Sequence, residues 1–323
     1  MSSKMEISKN ESLKRIKDLK AKLDNVFSKS VPYNKNICVY VCGSLGRLEM
    51  TDTTDLDLFF IIMRRSKVND SSNLEKYSFF AELLKINNEL GYNRPSKGGM
   101  YWDFIPKYNL LDIGSRKEDF NNSFTARMLL ILESKPIFNK NAYGRLVSDT
   151  VKKYFADYSD YKNDFYPLYL INDIERYWRT LTLNYEHVRD VNDDINKRYW
   201  KRLKLKYARL ITCYSMIACL FKENITPDYV TRCIKMTPFD RIHMLSDMFS
   251  DSESNLKSVV ERIIKEYEWF LDLRKEDSNW WDSEQNKELA LSHANYFHTI
   301  IIQEFMNKIS LTNPSLKNKL EIY

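Results

Sequence analysis

Asp55 and Asp57 stand two residues apart at the head of an apolar run, LDLFFIIM over residues 56–63. Side chains alternate along an extended chain, so both carboxylates face one way while Leu56 and Leu58 face the other. Like charges on one face repel unless a divalent cation lies between them. Carboxylate oxygens together with phosphate oxygens suit Mg²⁺, or Mn²⁺ in its place. Upstream, the β-branched run ICVYVC (residues 37–42) ends in Gly43-Ser44. Glycine there allows a tight turn and a close backbone approach to a ligand. The Ser44 hydroxyl and the N–H groups opening the next helical turn make an anion site. Arg47, one turn on, supplies either a charge-assisted bond to phosphate or an ion pair with Glu49. A phosphate cradle and a metal-binding carboxylate pair therefore share one short unit. Nucleotidyl transfer uses both, since metal ions about 3.5–4 Å apart can activate an attacking hydroxyl and stabilise the leaving pyrophosphate.

A third carboxylate is expected to join the pair and help deprotonate the nucleophile. The candidate is Asp103 in MYWDFI (residues 100–105), read as a strand whose Trp102 and Phe104 point to the opposite face. Asp112, beside Gly114, is the competitor. A triphosphate carries about four negative charges, which calls for cations opposite the Gly43-Ser44 turn. Arg176 and Arg179 share a helix face, and Arg202, Lys206 and Arg209 recur at spacings of four and three. Arg179, Lys206 and Arg209, with Arg202, are the nucleotide-binding candidates. The alternative is a solvated basic face, or pairing with acids such as Asp173 and Glu175.

The run GSLGRLEMTDTTDLDLFFI, from Gly43 onward, resembles the signature of the DNA polymerase β-like nucleotidyltransferase superfamily: Gly-Ser, a spacer, then Asp-x-Asp leading into an apolar strand. Its GSLGRLE form, residues 43–49, is similar to the uridylyltransferase group that modifies the PII nitrogen-regulatory protein. A looser similarity covers residues 111–138. The resemblance implies a Mg²⁺-dependent transferase of nucleoside monophosphate from a nucleoside triphosphate such as ATP, with Asp55 and Asp57 as metal ligands. It also implies a basic helix of a second domain closing over the triphosphate. A protein side chain leads among acceptors, ahead of a second nucleotide, as in a signal synthase, and of a tRNA end or a small molecule. None of His187, His243, His293 and His298 is followed by Asp, so the hydrolase domain of the PII-modifying enzymes is not expected. The rival reading from another class is a non-catalytic nucleotide sensor that keeps the fold.

The elements that must position these residues follow from periodicity. A helix is predicted from Ser8, where Ser8 and Glu11 match a capping box, with Leu13, Ile16, Leu19, Leu23 and Val26 on one face. Strands follow at 37–42, 56–63 and 100–105, with a helix at 72–90 between the last two. The last of the seven glycines is Gly144, and the second part of the chain, glycine-free beyond that residue, reads as packed helices at 123–132, 142–155, 168–186, 197–221, 254–273 and 284–309. The expected fold is α+β, with a polymerase β-like catalytic domain of mixed sheet and helices over residues 1–120 and an all-helical domain over 121–323.

Composition narrows the remaining classes. A net charge of +6, with basic and acidic residues interleaved, fits a triphosphate ligand without demanding nucleic acid. The five cysteines form no CxxC pair and read as buried reduced thiols of a cytoplasmic protein. No apolar run approaches the roughly 20 residues of a membrane span, and the first 14 residues lack the apolar core of a secretory signal. A P-loop fails because Gly-Lys-Ser/Thr does not follow Gly43 and Gly46. The four histidines are too scattered for a metal site, and Ser44 has no base nearby in sequence for nucleophilic catalysis.

Overall fold

The structure, a computed structural model, describes residues 4–29, 36–51, 54–63, 73–95, 99, 101–114, 122–162, 164–191, 195–249, 256–276 and 278–321. The chain separates into two compact units, Met1–Lys153 and Tyr154–Tyr323. The first unit runs α1 (Lys4–Lys29), β1 (Ile37–Val41), α2 (Gly43–Gly46), β2 (Leu58–Ile62), α3 (Asn73–Glu89), β3 (Phe104–Pro106), α4 (Lys107–Leu110), α5 (Ser123–Glu133), β4 (Lys135–Phe138) and α6 (Lys140–Tyr154). Its sheet has the order β3-β2-β1-β4, with β1 antiparallel to β2 and β4, and β2 parallel to β3. This is the mixed sheet of the expected α+β fold.

Alternation sorts the strand residues onto two covered faces. Val39 pairs with Phe60 and Val41 with Leu58. These residues join Leu19, Leu23 and Phe27 of α1 and Phe79 and Leu83 of α3 in one apolar core. On the other face Tyr40 stacks on Phe59, meets Tyr143 of α6 edge-on, and donates its hydroxyl proton to the Ala126 carbonyl of α5 at 2.8 Å. With both faces covered, β1 and β2 read as continuous apolar runs.

Several boundaries differ from the expected ones. α1 begins at Lys4, so Ser8 lies inside the helix rather than capping it, and its carbonyl accepts from Ser12 Oγ at 2.7 Å. β2 begins at Leu58, and Asp55 makes only an isolated parallel bridge to Asn93. β3 begins at Phe104, after a turn in which Asp103 N–H bonds the Tyr101 carbonyl. β4 was not foreseen, because Pro136 reads as a helix terminator. It pairs along the free side of β1 as an edge strand, where proline is tolerated. β4 ties residues beyond 120 into the first unit, and the two units divide at Lys153 and Tyr154.

The second unit is helical: α7 (Leu168–Val191), α8 (Ile195–Lys204), a π-turn (Leu205–Arg209), α9 (Leu210–Leu220), α10 (Pro227–Lys235), α11 (Pro238–Met248), α12 (Leu256–Leu273), a 3₁₀ turn (Ser278–Asp282), α13 (Glu284–Thr299), a second π-turn (Ile300–Phe305), α14 (Met306–Ser310) and α15 (Pro314–Glu321). Tyr207 is wholly buried at its centre, stacked on Phe270 at 4.5 Å and Phe297 at 4.6 Å. α10 and α11 escaped the sequence reading because Pro227 and Pro238 look like stops. Each instead occupies the first helical turn behind a capping threonine, Thr226 and Thr237. Cys38, Cys42, Cys213, Cys219 and Cys233 are all buried free thiols. No described helix is long and apolar enough to cross a membrane.

Candidate functional site

β1 delivers the chain into a left-handed turn at Gly43, φ +67°. A Cβ on Gly43 would sit 2.5 Å from Asp57 Oδ2. Glycine is therefore required twice, by the backbone conformation and by the carboxylate held against it. Asp57 is anchored from the same strand end, since its carbonyl accepts from Cys42 N–H at 2.9 Å. Gly46 serves packing: a Cβ there would come 2.1 Å from the Glu133 carbonyl and 2.9 Å from that of Val41. The single turn α2 is thus wedged between the end of β1 and the end of α5.

Thr54, Leu56 and Leu58 are buried, while Asp55 and Asp57 between them are half-buried. This alternation puts both carboxylates on the open side of the segment, as their spacing predicts. Thr54 fixes the segment locally. Its hydroxyl oxygen accepts from Thr51 N–H at 2.9 Å and from Ser44 Oγ at 3.2 Å, and its carbonyl accepts from Asn93 N–H at 3.3 Å. Ser12 of α1 braces the loop behind α2 by accepting from Met50 N–H at 3.1 Å. Beside Asp57 a cavity of about 10 Å³, lined by Leu56, Phe59, Pro95, Tyr101 and Trp102 among others, has room for about one water.

Three N–H groups open α2 without helical partners, as at any helix start. That of Gly43 is taken by Glu133 Oε1 at 3.1 Å. Those of Ser44 and Leu45 bond none of the described residues. The anion-binding capacity of the turn therefore rests on Ser44 and Leu45, with the Ser44 hydroxyl beside them. Arg47 takes the second of its two expected roles. Its side chain is 7% exposed and lies between Glu49 and Glu133, with Nη1 2.6 Å from Glu133 Oε2. Two carboxylates hold its guanidinium, so it braces α2. Glu133 went unnoticed in the sequence. The signal for it was a lone acid closing the apolar run MLLIL, a burial that requires a cationic partner.

Asp103 sits before β3 with its side chain 60% exposed, paired to Lys76 of α3 at 2.5 Å and accepting from Phe104 N–H at 2.7 Å. Asp112 is exposed in the turn after α4. Among the described residues no three of His, Cys, Asp and Glu gather as a metal-binding cluster. Mg²⁺ does not need three, since it binds through one or two carboxylates with substrate phosphates and water. The Asp55–Asp57 pair beside an open anion turn fits that donor set. Arg179, Arg202, Lys206 and Arg209 belong to the second unit. Arg179 is 74% exposed and 4.0 Å from Glu175. The π-turn changes the winding after Lys204, so the α-helical row read through Arg202, Lys206 and Arg209 does not continue regularly.

Residues 13–102 match the family model described as "Putative nucleotidyltransferase DUF294". The match takes in the Gly43 turn and both aspartates, and it agrees with the resemblance to polymerase β-like nucleotidyltransferases read from residues 43–61. Glu133 lies outside it. No curated protein and no solved structure matches the chain.

Proposed function

We propose that the chain transfers a nucleoside monophosphate from a nucleoside triphosphate to an acceptor hydroxyl. The observation that carries this is Asp57 packed on Gly43, which joins a carboxylate pair to the two open N–H groups of an anion turn. The Ser44 and Leu45 N–H groups and the Ser44 hydroxyl orient phosphate oxygens. Asp55 and Asp57 hold Mg²⁺, which when bound neutralises phosphate charge and favours loss of the hydroxyl proton. The acceptor oxygen bonds to the α-phosphorus, the α–β phosphoanhydride bond breaks, pyrophosphate leaves and the hydroxyl proton passes to a base. Asp103 is proposed as the third carboxylate, a role that requires it to leave Lys76. A protein side chain is the first acceptor to test, with nucleotide and tRNA hydroxyls next.

The test is incubation of the pure protein with α-³²P-labelled triphosphates, Mg²⁺ and candidate acceptors, following label transfer and pyrophosphate release together. Transfer that falls by about 10³-fold or more in a folded Asp57→Asn variant supports the reading. Metal-dependent triphosphate binding without turnover on any acceptor would favour a sensor. Undiminished transfer in a folded Asp55→Asn, Asp57→Asn variant would remove the site from the chemistry.

A further inference from the structure

We propose that a cavity in the helical unit binds a small monocarboxylate. It opens where three separate stretches of chain meet: residues 165–167 ahead of α7, residues 220–225 between α9 and α10, and residues 313–315 at the start of α15. Its volume of about 190 Å³ gives room for several waters or for a small organic molecule.

The side chains that line it carry more donors than the fold uses. Asn313 is 5% exposed, and its Oδ1 caps α15 by accepting from Leu316 N–H at 3.0 Å. Its amide nitrogen bonds none of the described residues. Asn139 caps α6 in the same way, accepting from Ala142 N–H at 3.2 Å, and there the amide nitrogen donates to the Ile37 carbonyl at 3.2 Å. A buried donor without an acceptor is costly, so the second bond is what a capping asparagine ordinarily completes. Asn313 lacks that acceptor and faces the cavity instead. Beside it, Pro314 brings no N–H, and the Ser315 N–H and hydroxyl bond none of the described residues. Lys222 supplies the charge. Its half-buried ammonium donates to the Glu223 carbonyl at 3.0 Å and rests 5.6 Å from the centre of the Tyr229 ring. These contacts fix the ammonium and leave it further protons to donate. Among the described residues it has no carboxylate partner.

Counting charges selects the ligand. Lys222 is the one cation lining the cavity, and Glu223, exposed, brings one negative charge. A polyanion would meet as much repulsion as attraction there. A single carboxylate needs one ammonium and a few neutral donors, which Lys222, Asn313 and Ser315 supply, and the start of α15 adds its partial positive charge. Glu223 and Asn224 can accept from hydroxyl groups elsewhere on the same molecule.

The site lies within the helical unit and does not depend on the transferase reading. Saturation-transfer NMR of the full chain with lactate and with gluconate tests it. Saturable binding of at least one acid is expected, weakened about ten-fold or more in Lys222→Gln and in Asn313→Asp. It should be unchanged in Lys265→Ala, an exposed cation of α12. Asn313→Asp keeps an oxygen to cap α15, so the helix start survives while the donor becomes a negative charge. The neutral amides of the two acids should not bind. No saturable binding of either acid overturns the proposal, as does equal binding of the amides or wild-type affinity in folded Asn313→Asp. Inorganic phosphate that binds more tightly than both acids, with the same losses in the two variants, would overturn the assignment to a carboxylate.

Discussion

At Gly43 one missing methyl group decides whether a carboxylate can stand where it does. In Gly43→Ala a left-handed residue acquires a side chain, and that side chain meets Asp57 Oδ2 at 2.5 Å. A destabilisation of at least about 2 kcal/mol is expected, with loss of metal-dependent triphosphate binding even where the variant stays folded. Urea unfolding and calorimetry read the two effects separately, and a fully stable, fully binding variant would contradict the geometry. Glu133→Gln should cost about 2 kcal/mol by weakening the charge-assisted bonds accepted from Arg47 and from Gly43 N–H, seen as a lower urea midpoint at unchanged slope. His298 makes stability depend on pH. Burial and then Lys206 hold its folded value below 6.5, so the unfolded chain takes up the proton first as pH falls. Stability therefore drops from the ordinary histidine range down to the lowered folded value. His298→Gln should flatten that part of the pH–stability curve, and an unaltered curve would show that another group causes it. The placement of Gly43, Asp55 and Asp57 was legible because turn, alternation and burial are all local. Glu133 was not, since its partners Gly43 and Arg47 lie 90 and 86 residues away.

At the scale of elements, the site is a wedge. α2 is one turn long and has no core of its own, so β1 before it and α5 beside it set its direction. Gly46 permits that approach, and Gly46→Ala would drive a methyl into the Glu133 and Val41 carbonyls. Backbone cannot yield as a side-chain tip can, so a loss of about 2–3 kcal/mol is expected, together with a weaker triphosphate affinity that distinguishes a displaced turn from a merely softened core. A stable Gly46→Ala with normal affinity would show that α2 can shift without consequence. The elements most visible in the sequence were those with long regular patterns, α1, α3, α12 and α13 among them. β4 was invisible because its four residues, KPIF, acquire meaning only from pairing with β1 about a hundred residues earlier. The π-turns were invisible for a related reason: packing around Tyr207 and Phe305 selects them, and no local residue marks a π-turn as glycine marks a tight turn.

At the scale of the molecule, two units with separate cores need not unfold in one step. Trp102 is the one tryptophan of the first unit, while Trp178, Trp200, Trp269, Trp280 and Trp281 belong to the second. Fluorescence therefore follows chiefly the helical unit, and circular dichroism follows both. Mg²⁺ with a triphosphate at about 100 times its Kd should stabilise the state that binds it by about 2.7 kcal/mol, and Asp57→Asn should abolish that gain. A shift confined to the dichroism transition would assign binding to the sheet unit, whereas an equal shift in fluorescence would mean that the two unfold together. The five buried thiols supply a further instrument. A thiol-reactive dye cannot reach them until the surrounding structure opens, so the labelling rate of each cysteine counts how often its neighbourhood breathes. Cys38 and Cys42 report on the sheet, and Cys213, Cys219 and Cys233 on the helices. Cys42 immediately precedes Gly43, so its protection by a nucleotide would record, residue by residue and without any chemistry taking place, whether the turn has closed on its ligand.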